Sequence, residues 1–200
     1  DIRVFFAPEN PELIAYESLE ATYSKSNSVL FVLSRDDGGT IFQQDSLAAL
    51  QTLTEEAWQT PYSRRADSIT NYQHSYALDE DLVVEELLAF DAADLGADDI
   101  AEVESRAMEN PLLVGRLIAR DGTVAGVNVP VILPGEDEAK EQPEVAGFAR
   151  GLAGQIEEQF PGHSVRLTGI IMINQALDEA VAKDASCLLY TSPSPRDWLQ

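Results

Sequence analysis

The sequence predicts an α+β fold in which helices lie on one face of mixed sheets. Three observations predict it. Apolar residues recur at helical spacing in some segments and in short continuous or alternating runs in others. The two kinds of segment interleave along the chain. One pair of β-rich runs brackets a tight Asp121-Gly122 turn, so at least one strand pair is antiparallel.

The elements follow in order. A helix is expected over 11–23. Asn10 caps it, Pro11 suits its first turn, and Leu13, Tyr16, Leu19 and Tyr23 share one face. "SVLFVLS" (28–34) is a continuous apolar run of strand length, read as a strand buried on both faces, with Val29–Leu33 at its centre. Asp36-Asp37-Gly38-Gly39 is a turn. Asp45 caps a second helix (45–58), whose stripe of Leu47, Leu50, Leu53 and Ala57 ends before Pro61. "DSITNYQHSY" (67–76) is rich in β-formers.

The stretch that follows is different. From Asp79 to Glu109 twelve acids accompany one base, Arg106, and the span of about 79–110 reads as an acidic insertion. Within it "DLVVEEL" fits a strand or a short helix. A later helix starts at an Asp98 cap and stops at Asn110-Pro111. "LLVGRLIARDGTVAGVNVPVIL" is the clearest hairpin, with strands at Leu112–Ile118 and Val124–Val131. "PGEDEAKEQPE" is a charged loop. The helix over 144–159 carries Val145, Phe148, Leu152 and Ile156 on one face, with Phe160 following and Pro161-Gly162 as its stop. A last strand covers Val165–Thr168. A final helix covers 172–184, with Ile173, Ala176, Leu177, Ala180 and Val181 on one side.

Two hundred residues allow one domain or two small ones, and a 44% hydrophobic content is enough to bury a core. The formal charge of -22 excludes nucleic acid and anionic membrane surfaces as expected partners, since both repel an acidic surface. The chain opens at Asp1 on the strand-like "IRVFF", with neither a charged n-region nor an h-region. It therefore reads as a segment cut at its N-terminus. "GIIMI" is far too short to span a bilayer, which takes about 20 residues.

The search for chemistry finds no motif. His74 and His163 sit in different contexts, and neither has Cys or His at ligand spacing; both are read as structural. The carboxylates of "LDEDLVVEEL" lack the Asp-x-Asp-x-Asp-Gly order of a calcium loop and read as a solvated face. "RDGTVAG" has neither GxGxxG nor GxxxxGK order, and no GxSxG is present. Cys187 alone builds neither an internal disulfide nor a metal cluster. Tyr16, Tyr23 and Phe31 are read as core. No catalytic residue, cofactor-binding residue, metal ligand or cofactor is assigned, and no enzyme activity is expected.

Four segments, in this order and spacing, carry a resemblance: "FFAPENPELIAYESLEATYSKSNSVLFVL", "LDEDLVVEELL", "LVGRLIARDGTVAGVNVPV" and "LTGIIMINQALDEAVAKD". Together they resemble the first large extracytoplasmic loop of resistance–nodulation–division (RND) transporters, in the MMPL-type predicted-exporter branch. The resemblance covers about residues 4–186. It implies a porter loop over 1–186, made of one or two ferredoxin-like α+β subdomains. It also implies a place between two membrane helices, facing the periplasm from the bacterial inner membrane. The implied partners are the rest of the transporter chain and a hydrophobic or lipid-like substrate, with homo-oligomerisation left open. The implied proton-carrying carboxylates belong to later membrane helices, so no coupling residue transfers to this sequence. An extracytoplasmic sensing or binding domain of a membrane receptor is the alternative.

The end of the chain changes character. "CLLYTSPSPRD" resembles the in-frame translation of a transposase-type sequencing adapter, so 187–200 is read as an artefactual or disordered tail. The final helix is expected to run on through Cys187, Leu188 and Leu189, because Leu favours helix and no breaker comes before Pro193.

Overall fold

A computed structural model describes residues 6–7, 9–22, 27–78, 81–88 and 90–191. Five helices and five strands are placed among them: α1 (Pro11–Thr22), β1 (Asn27–Arg35), α2 (Gln44–Ala57), β2 (Gln73–Leu78), β3 (Asp81–Glu86), α3 (Ala97–Glu109), β4 (Val124–Val131), α4 (Glu138–Gln159), β5 (His163–Thr168) and α5 (Ile170–Thr191). The fold is α+β, as the alternation of hydrophobic periods predicts.

The main sheet has the order β4-β1-β5, and both of its pairings are antiparallel. Outside β4, residues 63–67 add a rudimentary fourth strand through the antiparallel bridges Ser63–Val131 and Asp67–Asn128. With α2 following β1 and α4 following β4, this is the split β-α-β connection pattern. A second sheet is the antiparallel hairpin β2-β3. The ladders of both sheets are antiparallel, so the expected mixed sheets are corrected.

One face of the main sheet is the heart of the core. Val29, Phe31 and Leu33 of β1 lie opposite Val129, Val127 and Ala125 of β4, and all six are buried. Against them pack Leu47, Leu50, Leu53 and Ala57 of α2 and Val145, Leu152 and Ile156 of α4, the stripes that the spacing predicts. Each large apolar side chain buried in this way contributes about 1.5–3 kcal/mol. The alternate residues of β1, Leu30 and Val32, are only half-buried, so the strand is not buried on both faces as its continuous apolar run suggests. The helices that follow the strands cover a single face.

Several boundaries differ from the sequence reading for local reasons. Asn10 does cap α1, its Oδ1 accepting from the amides of Glu12 and Leu13. The cap of α2 is Gln43, not Asp45, which lies in the first turn and accepts the Ser46 amide at 2.8 Å. The cap of α3 is Gly96, not Asp98. Asp99 reaches back to the Gly96 amide at 2.8 Å, and glycine has no side chain to reciprocate. Helix α4 starts at Glu138, six residues before the expected start, inside the segment read as a charged loop. The buried Glu141 fastens that start by accepting from the amides of Gly135, Glu136 and Asp137, each at 3.0 Å.

The expected strand Leu112–Ile118 is not a strand. Asn110 to Ile118 winds into consecutive turns: the Leu113 and Val114 amides bond Asn110 O, the Leu117 and Ile118 amides bond Leu113 O, and Gly115 has φ +81. Leu113 and Ile118 still enter the core. The hairpin survives only next to its turn, through Ala119 N–Val124 O (2.9 Å) and Gly126 N–Leu117 O (2.7 Å). The place that a full hairpin partner would fill beside β4 is taken by residues 62–67, which bond Asn128, Pro130 and Ile132 along the same edge.

"DLVVEEL" resolves to strand β3. The described carboxylates of the acidic stretch lie at the surface or half-buried. Leu87, Leu88, Ala92, Leu95, Val103 and Ala107, however, join the same core cluster as the main sheet. The stretch is thus acidic on its outside and part of the core on its inside. Tyr16, read as core, is 52% exposed, whereas Phe31 is buried as expected. Tyr23 and the expected strand at "IRVFF", apart from Phe6, lie outside the described residues. Helix α5 does run on through Leu189, ending at Thr191, and the reading of 192–200 lies outside the described residues.

Candidate functional site

The densest polar cluster among the described residues sits at one end of the main sheet, where β1 ends, α2 begins and β5 begins. Arg35 is the last residue of β1. Its guanidinium holds Asp37 through Nε (3.0 Å to Oδ1) and Nη2 (2.9 Å to Oδ2), holds both oxygens of Asp45 through Nη1 (2.9 Å), and donates to Ser46 Oγ at 3.0 Å. Ser46 Oγ lies 2.9 Å from His163 Nε2, and His163 Nδ1 lies 3.2 Å from Phe160 O. Next to this chain of contacts, Ser164 Oγ donates to Asp36 Oδ1 at 2.6 Å and the Asp36 amide bonds Gly162 O at 2.9 Å.

Proton positions follow from the donor inventory. A carbonyl accepts only, so His163 carries its proton on Nδ1 and donates it to Phe160 O. Nε2 is then an acceptor, and the Ser46 hydroxyl donates to it while taking the Arg35 N–H on a lone pair. The Arg35 hydrogen bonds hold the Asp37 carboxyl down at about 2, and those contacts together with the Asp45 pairing push the guanidinium upward, so it stays charged. Asp45 is also lowered; desolvation opposes this and is outweighed by the Arg35 bond and the Ser46 amide.

A serine hydroxyl within hydrogen-bond reach of a histidine is the arrangement of an activated nucleophile. Here both partners are enclosed by the fold. Ser46 is wholly buried and His163 is 5% exposed. The histidine's far nitrogen is held by the Phe160 carbonyl. The cluster is a clasp that fastens the Asp36–Gln43 connection and the start of α2 to the end of the sheet. His163 is buried and hydrogen-bonded through both ring nitrogens. His74 lies in β2 opposite Glu85. Arg35, Asp45 and Ser46 went unassigned in the sequence as a cluster. The available signal is weak: a basic residue ending an apolar strand and an Asp-Ser pair opening the next helix.

Among the described residues no three His, Cys, Asp or Glu side chains come together to hold a metal ion. A second buried polar group joins Thr54, Ser68 and Thr70. Thr54 Oγ1 is 2.9 Å from Ser68 Oγ, and Ser68 Oγ is 2.6 Å from Thr70 Oγ1. All three are buried, and they tie α2 to the chain leading into β2.

Apolar side chains are left exposed on the first and last helices, and singly at Trp58, Val84, Phe90 and Leu112. On α1, Ile14 and Leu19 are exposed. On α5, Ile171 and Met172 are buried, but Ile173, Leu177 and Val181 are 50, 54 and 67% exposed, and residues 176–185 are all at the surface. A two-pronged Arg150–Glu179 pair (2.7 and 3.0 Å) ties α5 to α4. No helix among the described residues is long and apolar enough to cross a membrane. No protein-family model matches the chain, and none of the curated proteins compared with it matches either.

Proposed function

We propose that this chain is the porter loop of an RND/MMPL-type exporter of hydrophobic or lipid-like substrates, facing the periplasm from a bacterial inner membrane. The observation that supports this reading is the split β-α-β sheet, the ferredoxin-like arrangement that the sequence resemblance implies. A second feature agrees with it: the sheet is followed by α5, whose apolar stripe of Ile173, Leu177 and Val181 is left uncovered by the rest of the described chain. In the intact protein the role is transport driven by a proton gradient, not bond-making catalysis. The loop contributes by favouring one access state over another, as substrate binds it and as protons bind elsewhere.

The test is the uninterrupted gene from the same source. The reading expects the frame after Ser186 to enter an apolar span of about 20 residues, followed by further spans and a second loop of the same α+β kind. A single span leading to a signalling module would replace the transporter by a receptor's sensing domain. The intact protein in proteoliposomes should move a lipid-like fluorescent substrate when a pH gradient is imposed, and a protonophore should stop it. A gradient-independent signal would reject proton coupling.

A further inference from the structure

We draw no further inference here: the strongest candidate, the exposed apolar stripe of Ile173, Leu177 and Val181 on the outer half of α5, carries nothing more because no feature of the structure shows what covers it.

Discussion

Arg35 concentrates several jobs in one side chain. It neutralises two carboxylates and donates to the serine that meets His163. Its effect on Asp37 has a definite sign. The carboxyl titrates at about 2 in the folded chain against 3.8 ordinarily, so the folded state holds this proton less tightly than the unfolded state. The stability gained is fully present above pH 3.8 and is lost as pH falls through about 2. A carboxyl titration followed by NMR should find the Asp37 midpoint near 2, and Arg35→Met should return it to the ordinary range. An unchanged midpoint in the variant would remove Arg35 as the cause. Ser46→Ala acts differently: it leaves His163 Nε2 buried without a donor, at a cost of roughly 1–3 kcal/mol. Urea denaturation measures it, and a change below about 0.5 kcal/mol would mean that the histidine finds another partner.

At the scale of elements, the joint between β5 and α5 is the least forgiving. Gly169 has φ +104, and a Cβ there would collide with the Ser28 carbonyl oxygen of β1. Gly169→Ala should therefore cost at least about 2 kcal/mol, from backbone strain and forced separation together. The far end of the same helix should tolerate almost anything. Ending the chain at Ser186 should leave stability within about 0.5 kcal/mol, because 176–185 already lie at the surface. A loss of several kcal/mol on removing 187–200 would make the tail part of the fold. The same contrast explains what was legible. Strands β1, β4 and β5 and helices α1 and α2 were readable because each carries a continuous apolar run of strand length or an apolar period. Leu112–Ile118 was misread because its β-rich residues are wound by turn bonds around Gly115, and periodicity does not encode those. The start of α4 was hidden by charge and by Pro143, while the carboxylate of Glu141 supplies the amide bonds that hold it. The Arg35 clasp was invisible because its members lie at 35, 45, 46 and 163 and meet only when the sheet closes.

At the scale of the whole molecule, charge and topology dominate. A formal charge of -22 makes the folded surface repel itself, and dissolved salt screens that repulsion. The melting temperature should rise with sodium chloride over the first few hundred millimolar. Calorimetry with calcium should show no tight site in the acidic stretch, and tight binding would overturn its reading as a solvated face. The topology carries a consequence for synthesis. Strand β1 is the centre of the main sheet, yet both its neighbours, β4 and β5, come about 90 or more residues later in the chain. A ribosome adding about 5–20 residues per second needs roughly 5–20 s to supply the first of them. During that interval α2 is available to cover one face of the Val29–Leu33 segment, but the strand has no ladder partner, and its open backbone invites pairing with other nascent chains. A translation product released before Val124 would hold the sheet's middle strand with no edge to join, the species most prone to aggregate.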